Sequence, residues 1–397
     1  MLQANGESRQ NLEFLGIQYK SLHAIGLDLG VIRGRDIVKN RQKFTILAVI
    51  TFYLQCGLFV YAAHMFTIQI DKASTSLSLF NQGSLLCFKM FILLLRSDRL
   101  LKFIWDLNML ATMANDAEEE LWLSENRYSK LIAKVYGIAC LGATIASGLL
   151  PIVFILYEHF RGLEVNPFLP FDGEFPYEHL GLPIFILNYI LSTIYVWTLL
   201  GMTIGMDTLF GWFVYAVSGH FRILCSKVAV TAAKIAQDDN HADFTRDVGS
   251  IVYYHNKILG FVNELNGIFG PIFWAEVAFS CLQMCFLIFN LNSGTDMRQK
   301  PFNLLVFLAI SIQLMIYCFG GQKVKSENEA LCNDIYYQFP WDKMKPSEKK
   351  MMLLPLMRSQ EDTALRGLFF ELDRNLLVYI YRTAFSYNTL LAAMKDN

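Results

Sequence analysis

Residues 179–206 read H-L-G-L-P-I-F-I-L-N-Y-I-L-S-T-I-Y-V-W-T-L-L-G-M-T-I-G-M and contain no Asp, Glu, Lys or Arg. A bilayer hydrocarbon core about 30 Å thick takes about 20 helical residues, so this stretch is long enough to cross one. Four more runs are equally free of charge: 44–70, 135–157, 277–295 and 301–322. Two others carry one cation each, Lys89 within 73–95 and Arg382 within 375–394. A lone cation near a span end can reach the interface along its aliphatic stem. Both runs are therefore counted, and the sequence predicts an all-α membrane protein of seven spans.

Composition agrees with this. Hydrophobic types make up 54% of the chain, charged types 17%, and Phe fills 32 positions, with a formal net charge of −1. Soluble domains carry about 25% charged residues. The balance excludes a disordered chain, a collagen-like chain and a nucleic-acid binder that needs a basic face.

The order of the cations predicts the orientation. Seven Lys and Arg precede the first run, and the successive connections hold one, six, one, five, two and nine. Alternate connections thus carry 27 cations against four. Cytoplasmic loops collect Lys and Arg, which places the N-terminus in the cytoplasm and the C-terminus outside. A G-protein-coupled receptor has seven spans of the opposite sense. With Glu7, Arg9 and Glu13 so early, no signal peptide is expected. The resulting division is a cytoplasmic N-terminal segment, 1–43, then spans one to six with cytoplasmic helical extensions, 44–322. A cytoplasmic anchor helix and linker, 323–366, and a terminal span, 367–397, complete it.

Several spans overrun the bilayer. The helical pattern of the fourth continues to about residue 235, about 80 Å of helix at 1.5 Å per residue. The excess, from Asp207 on, is expected to stand in the cytoplasm and bundle with residues 242–269. Residues 12–19 are expected to be an amphipathic piece of the lead-in. The external connection 158–180 is acidic and Pro-rich; a lid over an external mouth and a solvated connector both fit it.

Catalytic signatures are absent. There is no H-E-x-x-H, P-loop, G-x-S-x-G or dinucleotide Gly fingerprint, and the seven His are scattered, so no enzyme activity, cofactor or metal site is expected. Asp207 and Glu276 are placed at the inner edges of their spans as solvated or paired anions; a transporter would want carboxylates at the midplane. Gly201-x-x-x-Gly205 allows close helix approach. None of the eight Cys lies in an external connection, so no disulfide framework is expected.

The terminal span has a directional face. At about 100° per residue, Tyr379, Thr383, Ser386, Leu390 and Met394 fall within roughly 40° of one line. That line is polar at its inner half and ends in two bulky apolar residues, which suits a constriction that gates by dewetting. Packing against another helix is the alternative. Arg382 lies off the line and is expected to pair with Glu371 or Asp373, a place at a side exit for ions being the alternative.

The last 75 residues carry the most specific signal: S-E-N-E-A-L-C-N-D-I-Y-Y-Q-F-P-W (326–341), L-P-L-M-R-S-Q (354–360), A-L-R-G-L-F-F-E-L (364–372) and Y-R-T-A-F-S-Y-N-T-L-L (381–391). This resembles the insect odorant receptor family. Its members show an L-x-x-x-R-x-Q segment and a terminal span near K-x-A-Y-S-Y-F-T-L-L. Phe385 and Asn388 depart from that pattern. The resemblance implies a tetrameric ligand-gated non-selective cation channel in the plasma membrane of sensory neurons, with the terminal spans lining the pore and the cytoplasmic extensions anchoring the subunits. It further implies an odour-tuning subunit that assembles with a shared co-receptor, because the co-receptor's long extra loop after the fourth span is missing. The implied partners are that subunit, a small volatile odorant and membrane lipid, with no nucleic acid. By alignment of the S-Y-x-x-L-L segment the family's gate falls on Leu390 and Met394, with Tyr379, Thr383 and Ser386 lining the pore below.

The resemblance also implies a small apolar odorant pocket in the outer halves of spans two, three, four and six, with span five nearby. Candidate lining residues are Phe80, Ser84, Thr144, Ser147, Pro151, Tyr189, Thr193, Gln283, Phe307 and Ile310. Ser147, Thr193 and Gln283 are the polar ones able to orient a carbonyl or hydroxyl. The gustatory branch of the same superfamily is the nearest rival, but its T-Y-x-x-x-x-Q-F ending is absent.

Overall fold

An uncharged run in hydrocarbon has no water to satisfy its backbone, so each N–H and C=O must be paired within its own helix. The computed structural model follows this rule. It describes residues 15–28, 38, 40–112, 115–162, 169, 171, 182–237, 243–293, 300–361 and 363–396, with the backbone alone for residues 71, 182, 293 and 390–396. In chain order the helices are α1 (Gly16–Ala24), α2 (Arg41–Met65), α3 (Ile70–Leu95), α4 (Ser97–Thr112), α5 (Asp116–Phe160), α6 (Leu182–Gln237), α7 (Phe244–Ser293), α8 (Lys300–Gln338), α9 (Pro346–Ser359) and α10 (Arg374–Asp396). Among the described residues there is no strand, only the isolated bridges Leu27–Val38 and Arg366–Glu371.

Among the described residues six helices, α2, α3, α5, α6, α7 and α8, are long and apolar enough to cross a membrane. The seventh run lies on α10, where the side chains of 390–396 fall outside the described set. The fourth run is indeed part of one unbroken helix of 56 residues. Its neighbours α5, α7 and α8 also overrun a bilayer, at 45, 50 and 39 residues. No break in α8 marks residue 322, and residue 242 lies outside the described residues.

The overrunning segments are held by aromatic packing and charge pairs. Phe210 stacks on Tyr317 with ring centroids 4.5 Å apart, and Phe103 stacks on Phe213 at 4.8 Å. Asn115 and Glu118 form a capping box at the start of α5. Glu118 also accepts from Lys227 Nζ at 2.8 Å, tying that cap to α6. The buried Glu125 sits between Arg222 at 2.8 Å and Lys323 at 3.0 Å, joining α5, α6 and α8. Arg99 meets Glu264 through two hydrogen bonds of 2.9 Å each.

The Gly201–Gly205 pair receives α1 and the residue after it, not another span. A Cβ added at Gly205 would lie 2.6 Å from Leu22, and one at Gly201 would lie 3.1 Å from Ile25. Gln18 of α1 donates to the Thr208 carbonyl at 3.1 Å. The amphipathic lead-in is thus a docked helix; residues 12–14 of the expected piece lie outside the described residues, as does most of 158–180. From that connection, Phe171 is buried and packs edge-on against Tyr195 at 5.6 Å.

Candidate functional site

Three features meet where α3, α5, α6, α7 and α8 converge: a small cavity, a buried charge cluster and the packed face of α10. The cavity has a volume of about 100 Å³ and is walled by all five helices. α3 contributes Leu79 and Gln82, α5 Tyr136 to Thr144, α6 Val196 to Thr203, α7 Gln283 and α8 Phe302 to Gln313. Its lining is apolar apart from a few amides and hydroxyls, the usual make-up of a site for a weakly polar small molecule.

Of the ten candidate lining residues, Thr144, Gln283 and Ile310 meet at this cavity. Gln283 is buried and neither its Nε2 nor its Oε1 has a hydrogen-bond partner. Phe80 and Ser84 line a separate, larger cavity beside α2. Ser147 donates to the Thr144 carbonyl at 2.8 Å, and Thr193 to the Tyr189 carbonyl at 2.8 Å, so both hydroxyls close on their own helices. Tyr189 donates to the Gly148 carbonyl, linking α6 to α5. Pro151 is buried within α5, and Phe307 packs on the α7–α8–α10 contact. Gln82, Tyr136, Thr203 and Gln313 were not anticipated as lining residues. Polar side chains inside otherwise apolar runs were their sequence signal.

Tyr136 and Gln313 also belong to the charge cluster next to the cavity. Lys89 of α3 lies 2.6 Å from Asp207 Oδ1 and 2.5 Å from Glu276 Oε2, and all three side chains are wholly buried. Asp207 Oδ2 accepts from Tyr136 at 2.8 Å and from Gln313 at 2.8 Å, while its Oδ1 accepts from Tyr317 at 2.9 Å. Ser280 donates to Glu276 Oε1 at 3.3 Å. Lys89 therefore does not extend to an interface, contrary to the sequence expectation. Asp207 and Glu276 are paired and enclosed, not solvated. Charges can be buried this way because every one finds a partner, where an unpaired charge would be prohibitively costly. The positions are far apart in sequence, and only helix packing brings them together.

The third feature is α10. Leu377, Ile380 and Ala384 are buried against Met284, Leu287 and Ile288 of α7 and Ile310 and Leu314 of α8. Ile310 is thus at once a wall of the cavity and a member of the apolar cluster that holds the buried face of α10. The opposite face is unpacked: Tyr379 is 66% exposed and Ser386 is exposed, and the Thr383 hydroxyl donates back to the Tyr379 carbonyl at 2.8 Å. The side chains of Leu390 and Met394 lie outside the described set. Arg382 is exposed and does not make its expected pair. Glu371 takes Arg366 at 3.1 Å and Lys325 at 3.6 Å, and Asp373 accepts the Leu376 backbone N–H at 2.7 Å. No group of His, Cys, Asp and Glu able to hold a metal ion occurs among the described residues.

Comparison with known proteins places this architecture. The chain is 28% identical to odorant receptor 45a of Drosophila melanogaster over 95% of its length and 98% of the relative's. It is 26% identical to odorant receptor 47a of the same species, over 95% of this chain and 98% of that one. Among solved structures, the insect olfactory receptor OR5 from Machilis hrabei has the same fold. Its TM-score is 0.74 at 13% identity, with 96% of this chain and 97% of that chain covered. The complex of that receptor with eugenol gives a TM-score of 0.77 at 15% identity, over 97% and 98%. A family model described as 7tm Odorant receptor matches residues 69–385, and with most of the chain so matched this multi-pass membrane protein belongs to the odorant receptor family.

Proposed function

We propose that the chain is the odour-tuning subunit of a heteromeric ligand-gated cation channel in the plasma membrane of sensory neurons, with its N-terminus in the cytoplasm and α10 as the seventh span lining the pore. The observation that carries this reading is the two-sidedness of α10. One face is buried in the apolar cluster that includes Ile310 of the cavity wall, and the other leaves Tyr379 and Ser386 exposed, with Thr383 half-buried between them. At about 100 Å³ the cavity is smaller than an odorant, so a ligand that enters pushes its walls apart; it presses on Ile310, and the cluster containing Leu314 and Ala384 passes that displacement to α10. Leu390 and Met394 close the pore by dewetting when that bias is absent. A volatile ligand offers few polar atoms, so shape and dispersion supply most of its affinity, and the Gln283 amide orients a carbonyl or hydroxyl. That a related receptor fold is described in complex with eugenol supports a small volatile ligand. No catalytic step is part of this function.

Patch recording of the chain expressed with and without the shared co-receptor, over an odorant panel, is the test. Odour-evoked cation current that requires the co-receptor and persists when G-protein signalling is blocked is the expected result. Current that vanishes with the block overturns the channel reading. External staining of an N-terminal tag on intact cells overturns the orientation.

A further inference from the structure

The larger cavity plays no part in that mechanism. Its volume is about 440 Å³, and it lies between α2 and α3, with Ile25 just after α1 and Met202 of α6 also at its wall. Pockets for drug-sized molecules run from about 300 Å³ upward, and a cavity of about 150 Å³ holds benzene, so the space takes a multi-ring molecule. Phe44, Phe52, Phe80 and Phe91 line it, and no charged side chain does. Phe52 and Phe91 are 72% and 58% exposed on helices apolar enough to cross a membrane, so the mouth opens toward lipid.

Two polar atoms in this wall have no partner, Thr51 Oγ1 and Gln55 Oε1, on residues that are 3% and 8% exposed. Gln55 cannot swing away to satisfy itself. Its Nε2 donates to the Tyr195 hydroxyl at 2.8 Å. The amide lies directly over Gly83, where an added Cβ would stand 1.5 Å from Nε2. Thr51 and Gln55 are four residues apart on one helix and so share a face, with Cβ atoms about 5–6 Å apart. One hydroxyl placed between them donates to the amide oxygen and accepts from the threonine. A phosphate headgroup finds no cation here.

We propose that this cavity is a sterol site: a rigid apolar molecule enters from the bilayer and sets its single hydroxyl between Thr51 and Gln55. The test is photolabelling of the full chain in phosphatidylcholine nanodiscs with a diazirine-bearing cholesterol analogue. Adducts are expected on peptides covering 44–55 and 80–94, suppressed by excess cholesterol. The double variant Thr51→Val/Gln55→Leu should reduce labelling at least fivefold. Ala48→Trp fills an exposed lining position without touching the core and should block labelling in a protein that stays monodisperse, which keeps the test decisive where the double variant fails to fold. Gln283→Leu, in the other cavity, should leave labelling unchanged. Adducts elsewhere only, or labelling undiminished by Ala48→Trp, overturn the proposal. Competition by hexanol as effective as by cholesterol overturns it too and assigns the cavity to volatile alcohols.

Discussion

Replacing Lys89 by Met probes a wholly buried cluster of one cation and two carboxylates. In the wild-type chain the ammonium lies 2.6 Å from Asp207 and 2.5 Å from Glu276, with no solvent access to any of the three. Met fills nearly the same volume, so packing is preserved and the change is electrostatic. Removing one partner of a buried ion pair costs about 3–5 kcal/mol, because a charge is left uncompensated. Here one deletion strands two carboxylates, which puts the cost near 5 kcal/mol. Tyr136, Gln313 and Tyr317 soften the loss at Asp207, but Glu276 retains only the 3.3 Å bond from Ser280. At roughly 2 °C per kcal/mol for a large domain, the melting temperature should fall by about 10 °C. Heating the detergent-solubilised full chain and measuring the surviving monodisperse fraction by size-exclusion chromatography reads this directly. The triple variant Lys89→Met/Asp207→Asn/Glu276→Gln removes the stranded charges and should recover most of the loss, since neutral replacement of buried ions is often tolerated. A single variant that melts within about 2 °C of wild type, or a triple variant less stable than the single one, refutes the reasoning.

Gln283→Leu removes two buried polar atoms that have no partner. Stability should hold or rise by about 1 kcal/mol. The response to ligands bearing a carbonyl or hydroxyl should weaken about tenfold in half-maximal concentration, against no change for purely hydrocarbon ligands, measured by whole-cell dose–response. Leu390→Ser/Met394→Ser should raise basal current by wetting the constriction; unchanged basal current and ion selectivity would remove these residues from the gate. The fourth prediction concerns acid. His220 is buried in the α6 extension, with Nε2 donating to the Leu107 carbonyl at 3.1 Å and Nδ1 accepting from the Tyr254 hydroxyl at 2.9 Å. Burial lowers its pKa to about 4, so the folded state holds the neutral ring while the unfolded chain protonates near the ordinary value of about 6.5. Stability is therefore full above that value and is lost as pH falls toward 4, by about 1.4 kcal/mol at about pH 5.5. His255, lowered to about 4 by burial and by Arg358, adds in the same direction. The melting temperature should drop between pH 7.5 and 5.5, and by less in His220→Gln; an identical drop in both would exclude His220 as a source.

Much of the architecture is local and so was legible residue by residue. Hydrocarbon leaves a helix as the sole way to satisfy an isolated apolar segment, and charge-free runs reveal such segments without reference to anything else in the chain. The unbroken helix of the fourth span, α6, follows from the absence of any break between 182 and 237. The two-faced character of α10 follows from a fixed angle per residue: Leu377, Ile380 and Ala384 pack, and Tyr379 and Ser386 do not.

What only the tertiary structure decided is where polar groups find one another. Sequence alone predicted the helices and, through the C-terminal motifs, the family. It read Lys89 as a cation reaching for the interface and Asp207 and Glu276 as edge anions, because periodicity says which face of a helix a residue occupies and nothing about the partner opposite. Their ion pairs join positions on three helices, 118 residues apart in the case of Lys89 and Asp207. The same holds for the cavities. Thr144, Gln283 and Ile310 share one, whereas Phe80 and Ser84 line another, since a void is defined by all of its walls at once. Helices are set by short-range hydrogen bonding and hydrophobic pattern; sites are set by how those helices pack.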